Sequence, residues 1–260
     1  MNNLTVTIVQ TDLHWEDSAK NLARLTEKLD QLTAPTDIIV LPEMFTTGFT
    51  MFPETLAEAH EGKGLQWMIQ QAKQKKCVLT GSVSVSDGTK FYNRLYWVMP
   101  DGTYKHYDKR HLFQMGNEHQ HYTAGTQRLI VEYKGWKICP LICYDLRFPV
   151  WARNRKENAY DLLLYVANWP EVRSYPWKQL LIARAIENQA YVVGVNRVGN
   201  DGNHINHSGD SAVINPRGEL LSQPNSNQEV IEAFTLSGVY LQEFRKLFPV
   251  MTDGDEFDIL

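Results

Sequence analysis

Three short apolar runs constrain this chain more than any other feature: "DIIVL" at 37–41, "KICPLI" at 137–142 and "DLLLYVA" at 161–167. Each has the length of a strand and each breaks into polar residues, Glu43 after Pro42, Cys143-Tyr144-Asp145, and Asn168. The run at 37–41 is too apolar for a half-exposed position. It is expected to be covered on both faces or buried inside a sandwich. The second reads as a short buried strand ended by a charged turn, and the third as another strand.

The remaining pattern fits an α/β chain. Residues 4–10 alternate and are rich in β-branched side chains, so they predict a strand. Ala19, Leu22, Leu25, Leu29 and Leu32 recur at helical spacing and predict an amphipathic helix over 16–32. A helix near 63–75 leads to strands at 77–85 and 92–98, joined by the turn "SDGT". The second half partly repeats this order. It has strands near 129–133 and 136–142, a short helix from about 149, the strand at 160–168 and a helix over 176–189. Strands at 191–196, 211–215, 219–222 and 228–235 follow, with a hairpin turn in "NPRGE". No linker rich in Gly, Ser or Pro divides the chain, so 1–260 reads as one domain whose halves each supply a strand-rich layer and a pair of helices. A C-terminal extension from about 237 ends in the acidic "TDGDEFDIL", expected to pack on a neighbouring subunit or to lie loose.

At 43% hydrophobic and 22% charged, 260 residues suffice for a soluble domain with a sizeable core. The net charge of −4 argues against nucleic acid or an anionic membrane as the main partner. No apolar run approaches the roughly 20 residues that cross a bilayer, and the first residues lack a basic stretch before an apolar one. Three cysteines, an odd number without a paired framework, point to reduced thiols and a cytoplasmic location.

Three residues stand where strands end. Cys143 falls on a strand-to-helix turn, with Pro149 suited to the first helical turn. Backbone N–H groups and a helix dipole there favour a thiolate, although most free cysteines are simply small buried hydrophobes. Glu43 lies just past the first apolar run, either in a solvated rim or aimed into a cleft beyond the strand ends. Lys109 follows the strand-like run 92–107. Alone it reads as part of a solvated basic cluster with Arg110 and His111. Together the three types form an acyl-transfer set. A carboxylate is a base for a thiol, and an ammonium with a backbone N–H stabilises an oxyanion.

The segments "LPEMF", "YDKRHLF" and "CYDLRFP", in this order, resemble the three signature regions of the nitrilase superfamily of carbon–nitrogen hydrolases. "ARAIENQAYVVGVNRVG" at 183–199 and "HSGDSAVINPRGE" at 207–219 resemble later parts of the same family, so the likeness runs over roughly 4–235. It implies a four-layer αββα sandwich, a catalytic triad of Glu43, Lys109 and Cys143, and homodimers or higher homo-oligomers. It also implies a second acidic residue in the cleft. "GNEHQHYTAG" at 116–125 matches that region and points to Glu118, which would orient Lys109 and the substrate amide. Within the superfamily, "CYDLRFPVWARN", "ANWPEVRSYPW" and "RHLFQMGNEHQHYTAG" look closest to the omega-amidases. Those enzymes hydrolyse 2-oxoglutaramate and related ω-amides of dicarboxylic acids. The reaction so implied uses Glu43 as base, Cys143 as nucleophile and the Tyr144 N–H with Lys109 as oxyanion donors, and passes through a thioester.

No cofactor is expected, because no step transfers electrons or needs a Lewis acid. His119 and His121 have a spacing that zinc accepts, but no third and fourth ligands stand at a recognisable distance. An anionic ω-amide calls for a cation in the pocket. Arg173, in the loop after the strand at 160–168, is the candidate, with a solvated loop arginine as the plain alternative. Asn168, Trp169 and Phe45 are expected as the less polar walls, and Arg147 as a structural residue. Another superfamily amidase, acting on N-carbamoyl groups or aliphatic amides, and a non-catalytic scaffold are the competing readings.

Overall fold

In the computed structural model, which describes residues 1–223 and 225–259, two β-sheets lie face to face between layers of helix, a four-layer αββα sandwich. The first sheet runs, in spatial order, Val230–Leu236, Leu4–Gln10, Ile38–Val40, Val78–Ser86, Phe91–Val98 and Tyr104–Asp108, with Glu58–Ala59 beside Val78–Ser86. Its three central strands are parallel, and the flanking ones antiparallel. The second runs Ala212–Ile214, Tyr191–Asn196, Leu162–Ala167, Trp136–Ile142 and Val131–Tyr133, again with a parallel centre.

The apolar run at 37–41 shows why the layers form. Ile38 and Val40 pack between the sheets with Leu4, Val6 and Ile8, against Ile138, Leu162 and Leu164 of the second sheet. Ile39 and Leu41 point the other way, onto helices Ser18–Asp30 and Lys63–Lys75 through Leu25, Leu29, Leu65 and Met68. Each of these four side chains is almost fully buried, and each contributes roughly 1.5–3 kcal/mol of apolar transfer. Helix Ser174–Asn188 covers the outside of the second sheet through Trp177, Leu181 and Ala185.

Several details depart from the sequence pattern. The strand-like run before Lys109 is a hairpin, Phe91–Val98 and Tyr104–Asp108, split at Pro100-Asp101-Gly102-Thr103, where Gly102 has φ +90°. The strand expected at 219–222 is only a single bridge between Ile214 and Leu220. A ribbon of Val198–Asn200 and Asn206–Ser208 stands outside both sheets. The second half supplies one long helix beyond its strands. The companion helix, Gly238–Leu247, comes from the C-terminal segment and is tied down by Leu241 and by Arg245 on Asp161 at 2.7 Å. The acidic tail lies back on the loop around Arg155, which donates to the Phe257 carbonyl at 2.7 Å. Leu260 lies outside the described residues.

The parallel strands set the position of the site. Glu43, Cys143 and Asn168 follow Ile38–Val40, Trp136–Ile142 and Leu162–Ala167, so all three emerge at one edge of the sandwich. Tyr104–Asp108 runs in the same sense as Val78–Ser86, and Lys109 leaves the first sheet at that edge too.

Candidate active site

Two unusual backbone conformations build the floor. Cys143 opens a short 3₁₀ turn, Cys143–Arg147, with φ +44°, and Met44, just after Glu43, has φ +42°. Left-handed conformations in non-glycine residues cost on the order of 1–3 kcal/mol and persist only where the surroundings hold them. At Cys143 the kink faces the side chain into a cavity of about 490 Å³.

Lys109 Nζ lies 2.8 Å from Glu43 Oε1 and 3.0 and 2.9 Å from the two oxygens of Glu118. All three side chains are fully buried. Asn93, which no sequence signal marked, donates through Nδ2 to Glu43 Oε1 at 2.8 Å and to Glu118 Oε1 at 3.2 Å. The Asn168 N–H donates to Glu43 Oε2 at 2.7 Å, and the Phe113 N–H to Glu118 Oε2 at 2.6 Å. Glu43 Oε1 thus serves two donors and Oε2 one, which leaves Oε2 the freer oxygen. The ammonium has one N–H for Glu43 and one shared by Glu118. The third is available toward the cavity, which Lys109 lines, with the Phe49 ring centre 5.1 Å away.

Electrostatics follow from this burial. Desolvation pushes the Cys143 thiol well above its ordinary range, and Glu43 pushes it further while Lys109 opposes. The direction of this shift runs against the expectation of a thiolate favoured by a helix start. The segment after Cys143 is one short 3₁₀ turn, and its dipole is outweighed by burial and a neighbouring carboxylate. Burial alone would lower the Lys109 ammonium, but Glu118 and then Glu43 more than offset it, and the net shift is upward. Burial raises Glu118, against the pull of Lys109.

Of the expected wall residues, Tyr144, Asn168, Trp169 and Arg173 line the cavity. Phe45 does not. The left-handed Met44 turns the chain inward, and Phe45 packs under helix Lys63–Lys75, its ring centre 5.7 Å from that of Trp67. Gly81 leaves the room for it, since a Cβ there would meet Phe45 at 3.0 Å. Phe49, four residues on, supplies the aromatic wall instead. Arg147, read from the sequence as structural, lines the cavity as well. Its guanidinium lies 5.2 Å from the Trp169 ring centre, and that of Arg173 5.3 Å from Phe113. Neither arginine has an ion-pair partner among the described residues. The ribbon hairpin adds Asp201, Asn203, Ile205 and His207. His207 is buried and pushed down to about 4, by desolvation first and then by Arg197. Glu118 sits behind Lys109 rather than in the cavity wall. His119 is exposed and His121 faces Glu54 at 3.6 Å, on one helical turn, Glu118–His121, rather than an extended segment.

A buried Cys–Glu–Lys set at the joint edge of a four-layer sandwich defines a carbon–nitrogen hydrolase. The profile of that family, Carbon-nitrogen hydrolase, matches residues 5–245, and the chain belongs to it. It is 49% identical to Omega-amidase YafV of Escherichia coli K12 over 257 residues, 99% of each chain. It is 32% identical to 2-oxoglutaramate amidase of Bacillus subtilis over 255 residues, 96% of each. A CN-hydrolase superfamily protein of Xanthomonas campestris, with an arsenic adduct in its active site, has a TM-score of 0.97 at 45% identity, with 100% of both chains covered.

Proposed function

We propose that the chain is an omega-amidase, a cysteine amidohydrolase that releases ammonia from the ω-amide of small dicarboxylic acid monoamides such as 2-oxoglutaramate. The observation that carries this is the pairing of a buried Glu43–Lys109–Glu118 network, behind the cavity that Lys109 and Cys143 line, with two arginines on the cavity wall that have no ion-pair partner among the described residues. The likeness to the Escherichia coli and Bacillus subtilis enzymes supports the substrate class.

In this reading the amide carbonyl sits between the Lys109 ammonium and the Tyr144 N–H. That N–H belongs to the first turn of a 3₁₀ helix, where amides have no partner within the helix. The Cys143 proton passes to Glu43 Oε2 as sulfur bonds to the amide carbon, so the thiolate forms only during attack. Negative charge on the former carbonyl oxygen is held by Lys109 and Tyr144. Collapse breaks the C–N bond, and Glu43 returns the proton to the departing ammonia. Glu43 next takes a proton from water, which attacks the thioester and restores the thiol. Glu118 and Asn93 hold Lys109 and Glu43 in place throughout. Arg173 and Arg147 take the remote carboxylate, with Trp169 and Asn168 between.

Three free, buried cysteines support a reducing, cytoplasmic setting. Exposed Ile186, Leu247 and Phe248, the second 81% accessible, support self-association through the helical face of the second sheet. The deciding experiment is ammonia release from 2-oxoglutaramate, succinamate, glutamine, a carbamoyl amine and a simple nitrile, by the wild type and Cys143→Ala. Turnover of the first two, abolished in a Cys143→Ala protein that melts normally, is the expected result. Strong activity on neutral amides alone would remove the omega-amidase assignment.

A further inference from the structure

Asp145 is fully buried two residues after Cys143, and the mechanism above does not use it. Its carboxylate accepts four hydrogen bonds. Oδ1 takes the His111 N–H at 3.0 Å and His111 Nδ1–H at 2.7 Å. Oδ2 takes the Tyr107 hydroxyl at 2.7 Å and the Ile142 N–H at 3.0 Å. Tyr107 and His111 flank Lys109 at two residues on either side, and Ile142 immediately precedes Cys143. One carboxylate therefore joins the segment that carries the ammonium to the segment that carries the nucleophile.

The bond to Ile142 also spans Cys143 itself. It links the residue before the left-handed cysteine to the residue two after it, and so closes the turn that keeps φ at +44°. The hydroxyl of Tyr107 is itself fixed, accepting from Trp151 Nε1 at 3.0 Å and from the Arg110 N–H at 3.1 Å. The His111 ring stacks on Phe148 at 3.8 Å, and Phe148 meets Tyr144 edge-on at 5.1 Å. The histidine thus contacts Asp145 directly and, through Phe148, is linked to Tyr144, the proposed oxyanion donor.

We infer that Asp145 and His111 are positioning residues that set the distance and angle between Cys143 and Lys109. Neither touches the reacting atoms. The activity arm of this inference rests on the amidase reading, whereas the thiol arm does not. In Asp145→Asn one carboxylate oxygen becomes an NH₂ that faces donors. The expected result is a kcat about 100-fold lower with KM little changed, the cost of misplaced groups. Alkylation of Cys143 by iodoacetamide, followed by mass spectrometry, should slow in parallel. His111, half-buried, gives a milder pair. His111→Leu should lose about tenfold in kcat, and His111→Asn, which keeps an N–H near the position of Nδ1, should recover most of it at the same melting temperature. A near-wild-type kcat and alkylation rate in Asp145→Asn would overturn the inference. So would equal kcat losses in His111→Leu and His111→Asn. Altered alkylation in a protein whose wild type releases no ammonia would sink the amidase reading and leave the positioning role standing.

Discussion

The floor and the wall of the cavity are built on opposite plans. On the floor Glu43, Lys109 and Glu118 are fully buried, and both carboxylates and the ammonium are held by short bonds to one another, Asn93 and backbone amides. On the wall Arg147 is exposed and Arg173 half-buried, resting on Trp169 and Phe113 with no ion-pair partner among the described residues. A network satisfied before substrate arrives costs no reorganisation during reaction, which suits the chemical step. Cations left without a partner gain one only when an anion binds, which suits discrimination between substrates. In the proposed function, the same molecule thus separates how it cleaves from what it accepts.

The largest effects should come from the floor. Glu43→Gln replaces the base with an amide and is expected to lower kcat by about a thousandfold or more, with no thioester detectable by mass spectrometry of the quenched enzyme. Lys109→Ala should cost roughly 3 kcal/mol or more in transition-state stabilisation, and melting curves are needed beside it because it leaves two buried carboxylates unpaired. Glu118→Gln should do less harm, with thioester still formed, because it acts through Lys109. If Glu43→Gln kept near-normal rates, the assigned base would be wrong.

Intermediate effects belong to the wall and are selective. Arg173→Ala should raise KM for an anionic ω-amide about 10- to 100-fold, in line with one charge-assisted hydrogen bond, and barely alter a neutral amide of similar length. Arg147→Ala should act in the same direction but more weakly, since Arg147 is the more exposed. Equal effects on anionic and neutral substrates would erase the contrast between floor and wall.

The effect expected to leave turnover at neutral pH untouched is on stability in acid. His207 in the cavity wall is held neutral, pushed down to about 4. Its unfolded form takes a proton as pH falls through about 6.5, and the folded form only near 4. Folding stability should therefore fall across that window, by at most roughly 3 kcal/mol, and then level off. Thermal melts at pH 7 and pH 4.5 should show a smaller loss in His207→Gln. An unchanged difference would mean that His207 is not the group responsible.

Much of the fold could be read from the chain, because doubly covered strands leave runs without polar alternation, as at 37–41. Glu43 and Cys143 stand out because each follows an apolar run with an abrupt change of polarity, whereas Lys109, in the polar stretch "YKHYDKRH", is singled out only by the resemblance of "YDKRHLF" to the family's signature. The rest lacked any local mark. Asn93 sits in an alternating stretch, "FYNRLYWV", where a polar residue reads as solvent-facing, and its partner Glu43 is 50 residues away. Nothing in "PEMFTTG" announces the left-handed Met44 that turns Phe45 away from the wall. The ribbon carrying His207 was missed because three-residue strands around "DGN" are indistinguishable from loop. Arg147 lies in a motif that looked structural, and only the turn of Cys143–Arg147 brings it round to the cavity.

The upward push on the Cys143 thiol has a consequence for survival under oxidants. Peroxide consumes thiolates, through sulfenic to irreversible sulfinic acid, and spares thiols. In the proposed mechanism Cys143 loses its proton only while an amide carbon is within bonding distance, and would spend little of its lifetime in the vulnerable form. Catalytic competence and chemical durability, which conflict in enzymes that keep a standing thiolate, would in that mechanism be reconciled by leaving deprotonation to the moment of attack.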